Sequence, residues 1–316
     1  MQEVFYGAYL DHGGRDYECG FKWYAGHGGV DILLRNFTVQ DSGVAVLAAA
    51  PGTVFLTRDG LFDRSTANGD GGFGNYVAVE HGTGGPISYY GHLRQGSIRV
   101  AQNATVARGD TLGLVGSSGN SNWPHLHFEV RESGQTVPVD PFLGGCNRPA
   151  AQPTWVSQLP WQGEFAVLDA GISNRTLTFA ELLERPADVA TVRAADLRVV
   201  FWANLFNVQA LSTRTVLQDA GGAVLGVTTT GTFTTFSTRF LATAFTLSSL
   251  TLTAGEYSVA LWVTPSSGGA EREVVRRTFS YDPGGVPAPR PAPGARAGSH
   301  SSWISPQAGD GPPGGL

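Results

Sequence analysis

Long apolar runs are missing from this 316-residue chain; the longest, Val44 to Ala50, has only the length of a strand. A membrane-spanning helix needs roughly 20 such residues, so no span is expected. Charge is also sparse, at 15% Asp, Glu, Lys and Arg, with a formal net charge of −5. A net negative chain without a basic patch argues against a nucleic-acid binder, while a mixed-charge polymer stays open as a ligand. The opening MQEVFYGAYLDHGG lacks the basic start and apolar core of a secretory leader. That leaves a leader upstream, another export route, or a protein kept inside. Cysteine is scarce too: Cys19 and Cys146 are the only two. Bonded, they would close a long loop and favour an oxidising compartment; unbonded, they are two small buried thiols.

Glycine, in contrast, is abundant at 43 residues. Gly, Asn and Asp turns punctuate short Val/Thr/Phe-rich runs, which predicts a mostly β protein. Residues 1–150 carry expected strands at Val44–Ala48, Gly52–Thr57, Tyr76–Glu80, Ile87–Gly91, Thr111–Val115 and His125–Arg131. Residues 58–74 read as a long polar hairpin loop, either bordering a cleft or merely solvated. After a linker at 146–154, residues 155–282 show about seven strands with alternating apolar positions, from Glu164–Leu168 to Val274–Tyr281. This spacing predicts an immunoglobulin-like β-sandwich. The segment has neither histidine nor cysteine, so a metal site is expected elsewhere. Residues 283–316 hold eight Pro and eight Gly and are expected to be a disordered tail.

Four of the seven histidines fall in three short segments: HGGVD (27–31), YYGHL (89–93) and PHLHFEV (124–130). Strand alternation puts His125, His127 and Glu129 on one face and Leu126, Phe128 and Val130 on the other. Two imidazoles then address one space, suiting a metal ligand beside a proton-transfer group. Gly28 and Gly29 would let the backbone come close while His27 and Asp31 bend onto a common ion. Three N/O ligands leave a coordination position for water, the mark of catalytic rather than structural zinc. Glu129 is expected as a partner behind the ligands. Tyr24 reads as a packed aromatic or a cleft wall, and Asn120 as a turn residue or a substrate contact. His81 reads as a turn residue.

The order HxGxD, YxHL, then GSSGNS followed by PHLHFEV resembles the lysostaphin-type, or LytM-like, zinc endopeptidases over residues 15–145. The stretch CGFKWYAGHGGVDILLR also resembles the opening of a subgroup with a cysteine before the first motif. The resemblance implies an antiparallel β metallopeptidase domain of the duplicated-hybrid-motif type. It implies that His27, Asp31 and His127 bind Zn²⁺ and that His92 and His125 are the catalytic pair. The implied reaction is hydrolysis of peptide cross-links in bacterial peptidoglycan by a zinc-activated water, in a secreted, periplasmic or cell-envelope monomer. Two alternatives stay open: a silent peptidoglycan-binding activator, and a peptidase of ordinary protein. Trp123 stands where the family often has a small residue, so the cleft is expected to differ there.

Overall fold

The computed structural model describes residues 5–66, 71–132, 134, 137–148, 154–233 and 239–285. The tail beyond 285 and most of the expected linker fall outside them. Alternation and turn chemistry give a mostly β chain with two five-residue helices. The first half comprises β1 (Phe5–Ala8), β2 (Val30–Leu33), α1 (Phe37–Asp41), β3 (Ala45–Leu47), β4 (Gly52–Arg58), β5 (Tyr76–Glu80), β6 (Ile87–Gly91), β7 (Thr105–Val106), β8 (Thr111–Leu114), β9 (His125–Arg131) and β10 (Pro138–Val139). Seven of these run β1-β2-β9-β6-β5-β4-β7 in one antiparallel sheet, with β10 beside β9 and a separate β3–β8 pair. Val30, Val54, Val77, Val79, Tyr90, Phe128 and Val130 form its core.

Burial of aromatics anchors the sheet's β1 end. Tyr6, Tyr9, Tyr17 and Phe142 meet edge-on, tilted or stacked, with centroids 4.9–5.5 Å apart. Cys19 and Cys146 are joined in a disulfide beside this cluster, and the Cys146 amide donates to the Tyr17 carbonyl at 2.7 Å. The loop before the histidine segment and the chain leaving the sheet are thus tied together.

The second half holds β11 (Ala166–Ser173), α2 (Phe179–Leu183), β12 (Thr191–Arg193), β13 (Arg198–Phe206), β14 (Leu211–Asp219), β15 (Val224–Thr229), β16 (Arg239–Thr246), β17 (Gly255–Pro265) and β18 (Arg272–Asp282). They form a three-stranded sheet, β11-β13-β16, and a five-stranded one, β12-β18-β17-β14-β15. Phe201 and Phe245 of the first sheet share a core cluster with Leu217, Val259 and Phe279 of the second. The β12–β18 pair is parallel, a departure from the all-antiparallel expectation.

The two halves touch through specific side chains. The Trp123 indole stacks on Phe240 at 4.9 Å, and Phe5 meets Phe206 edge-on at 5.5 Å. Arg64 bridges Asp41 and Glu184. Asn204 donates to the Arg35 carbonyl, and buried Lys22 donates to the Gln162 carbonyl at 2.6 Å. Trp123, at a position where the family often has a small residue, therefore packs against the second half through Phe240, while its N–H donates to the Leu34 carbonyl of its own half at 2.7 Å. No helix among the described residues is long and apolar enough to cross a membrane.

Candidate metal and catalytic site

Strand β9 lies between β2 and β6, and pairing register does most of the work of assembling the site. Asp31 stands opposite His127, Leu33 opposite His125, and Gly91 opposite His127 on the other side. As alternation predicts, His125, His127 and Glu129 are buried on one face while Phe128 and Val130 enter the core on the other. His27 arrives from the turn before β2, and that turn needs its glycines. A Cβ on Gly29 would sit 2.3 Å from the Phe128 carbonyl, and one on Gly28 would sit 3.0 Å from the Glu129 carboxylate. His92 follows β6 at φ 58°, with its amide donating to the Phe73 carbonyl.

All five sequence-predicted residues come together. His27 Nε2 lies 3.1 Å from Asp31 Oδ1 and 3.2 Å from His127 Nδ1, which is itself 3.0 Å from Asp31 Oδ1. His125 Nε2 is 3.6 Å from the same carboxylate oxygen. The His92 ring centroid is 4.6 Å from that of His125 and 5.8 Å from that of His127.

The outer nitrogens fix the protons. Carbonyl oxygens only accept, so the Nδ1–H groups of His27, His92 and His125 donate to Tyr9, Ser118 and Trp123, each at 2.7 Å. His127 is turned the other way: its Nε2–H donates to Glu129 at 3.0 Å, leaving Nδ1 facing the centre. With both rings neutral, lone pairs on His27 Nε2 and His127 Nδ1 converge with a carboxylate oxygen, and a cation, either a proton or a metal ion, is called for between them. Donors about 2.0–2.1 Å from a tetrahedral metal stand roughly 3.3 Å apart, close to the separations seen here.

Electrostatics agree with this picture. Burial alone would raise the Asp31 carboxyl, but the charges of the neighbouring His27 and His125 and the close contacts with His127 and His27 hold it well below the usual range. Burial opposes charge on His127 too, yet its bonds to Asp31 and Glu129 lift it to about 9. Without a metal, a proton fills the same role there. His92 is pushed down to about 3 by burial and by the adjacent His125 and His127, and burial also lowers His125. Both are thus held neutral, as proton acceptors must be.

Some neighbours were not read from the sequence as site residues. Arg131 donates to Glu129 at 2.6 Å and lies over the Tyr89 and Phe73 rings. Odd-numbered alternation along β9 already placed it on the histidine face. Phe73 packs 5.3 Å from His127; it belongs to the 58–74 loop, whose composition did not single it out. Tyr24, weighed as a packed aromatic or a cleft wall, is 51% exposed and lines the groove over the cluster. It stacks on His27 at 4.2 Å and donates its hydroxyl to Asp31 Oδ2 at 3.2 Å. Asn120 lines the open groove of about 360 Å³ over the cluster; the left-handed turn position beside it is taken by Gly119. His81 bonds Pro51 and Ser88 away from the site. A larger cavity of about 780 Å³ faces Phe128 and Val130, on the other side of β9.

Residues 25–141 match Peptidase family M23, and this segment is a LytM-like M23 metallopeptidase domain. Similar proteins include the murein hydrolase activator EnvC of Escherichia coli (strain K12), 44% identical over 73 residues, or 23% of this chain and 17% of EnvC. The DD-carboxypeptidase/endopeptidase Mpg of Neisseria meningitidis serogroup B is 42% identical over 71 residues, or 22% of this chain and 15% of Mpg. Among solved structures, the catalytic domain of lysostaphin from Staphylococcus simulans aligns at 23% identity, covering 44% of this chain and 88% of that domain, with a TM-score of 0.29. The chain thus spans less than a fifth of the length of either curated relative.

Proposed function

We propose that the chain is a zinc metalloendopeptidase that hydrolyses peptide cross-links of bacterial peptidoglycan. The observation that carries this reading is the set of three converging acceptors, His27 Nε2, Asp31 Oδ1 and His127 Nδ1, beside two buried neutral imidazoles. Two imidazoles and one carboxylate are the donor set of a catalytic zinc site with a place left for water. Zinc bound there would activate water and polarise the scissile carbonyl.

The chain's own residues do the rest. Glu129 and the Tyr9 carbonyl hold the His127 and His27 rings in the ligating tautomers. His92 and His125 keep Nε2 free to accept a proton, to hand it to the leaving amine, or to steady the oxyanion. Tyr24 orients the second Asp31 oxygen. In this reading residues 1–150 are the catalytic unit, 155–282 an immunoglobulin-like accessory sandwich, and 283–316 a tail. The disulfide favours a secreted, periplasmic or envelope setting.

The test is digestion of purified peptidoglycan with identification of the newly freed amine by mass spectrometry. A muropeptide cut at a cross-link, abolished by a zinc chelator and restored by zinc, is the expected result. The similarity to EnvC, itself an activator, supplies a second reading. Protein that binds peptidoglycan without zinc and without releasing amines would establish that one instead.

A further inference from the structure

Next to the histidine cluster lies a second groove, of about 520 Å³, whose walls come from opposite halves of the chain. Tyr24, Asp31 and Trp123 of the first half and Phe179, Arg239 and Phe240 of the second line it. Tyr24 lines both this groove and the one over the cluster, so the two adjoin at a residue bonded to Asp31.

The junction of the halves at this groove is built rather than loosely apposed. Phe240 stacks on Trp123 with planes 20° apart, Phe179 meets Phe240 edge-on at 5.4 Å, and Trp123 is hydrogen-bonded to Leu34. Behind them, Thr38 donates to the Glu184 carbonyl at 2.7 Å. Arg239 opens β16, the outermost strand of its sheet, beside these rings. Its side chain is exposed, and its guanidinium has no ion pair or hydrogen bond among the described residues. On a chain of net charge −5, an uncommitted cation in a groove leading to Asp31 is not part of a general basic surface.

A guanidinium fork matches a carboxylate in two parallel hydrogen bonds, and flanking rings strengthen that pair by limiting water. The contiguous aromatic surface of Trp123, Phe240 and Phe179 suits an extended peptide. We infer that Arg239 receives a free carboxylate of the substrate, so that the second half of the molecule forms part of the substrate cleft. The substrate class is then an anionic peptide, its carboxylate on the side of the scissile amide facing β16. This rests on reading the histidine cluster as the peptidase centre.

The experiment uses the full chain carrying His125→Ala, to suppress turnover, and calorimetric titration with one synthetic tetrapeptide, L-Ala-D-isoglutamyl-L-Lys-D-Ala. The peptide is supplied with both carboxylates free or both amidated. The free acid is expected to bind about ten-fold tighter. Adding Arg239→Ala should collapse that preference to under about two-fold, Arg239→Lys should retain part of it, and Arg239→Glu should reverse it. Equal binding of the two peptides to the parent, no binding of either, or a preference that survives Arg239→Ala overturns the inference. Preferential binding with wild-type protein that cuts no peptidoglycan would instead sink the peptidase reading and leave the carboxylate site standing.

Discussion

His127 is the one imidazole of the four that is turned around, and its orientation follows from a single partner. Because Glu129 takes its Nε2 proton, Nδ1 is the atom left to ligate, whereas His27 presents Nε2. His127→Ala should therefore lose both bound zinc, read by elemental analysis, and turnover. His92→Ala and His125→Ala should keep stoichiometric zinc while kcat falls by about 10²–10⁴, the usual worth of a proton-transfer group. Full activity in any of the three would contradict the proposed roles. Glu129→Gln preserves an acceptor for His127 but removes the charge. A loss of about 10–100-fold in zinc affinity, with the fold intact, is expected in competition against a chromophoric chelator.

The site is made by β2, β9 and the turn before them, so backbone proximity matters as much as side-chain chemistry. Gly29→Ala would drive a methyl to 2.3 Å from the Phe128 carbonyl and 3.0 Å from His127 Nε2. We expect a destabilisation of a few kcal/mol, from forcing β2 off β9, together with lost zinc; thermal unfolding and metal content check both. Period-2 alternation made β9 and seven of the eight described strands of the second half legible from sequence, with bounds that moved by a residue or two in most cases; the three-residue β12 was missed. β11 was foreseen as Glu164–Leu168 but runs Ala166–Ser173, because its later residues are buried without alternation. β1 was missed for a similar reason, with three of its four residues buried on both faces. The helices were missed because five residues cannot display a 3.6-residue period. Only the Asn36 cap and the Thr178–Glu181 capping box signalled them. The five site residues were legible because their types and order, more than any periodicity, carry the chemistry. The groove lining at Arg239 was not, since it depends on how distant halves pack.

At the scale of the whole molecule, a fully buried lysine sits where the halves meet. Lys22 Nζ donates to Gln162 and lies 4.1 Å from the Phe206 ring centroid. Burial, only partly offset by Asp16, brings it down from 10.5 to about 6. Below pH 6 it is charged folded and unfolded, and the desolvation cost is present in full. As pH rises from 6 to 10.5 the folded protein holds it neutral while the unfolded chain still binds the proton, so the cost shrinks and vanishes above that window. Lys22→Met should therefore raise stability by about 1–3 kcal/mol at neutral pH. Thermal melts across pH should show the gain largest near 6 and closing toward 10.5; a gain that does not vary with pH would mean the ammonium stays charged.

The bond between Cys19 and Cys146 encloses the chain from before His27 to beyond His127, with a sequence separation of 127. A protease nicking one exposed loop inside that ring leaves every residue of the histidine centre on a single covalent molecule. Such clipped protein migrates as the intact species until a reductant separates the pieces. Wear from a protease-rich surrounding would thus cut the backbone without releasing half of the centre.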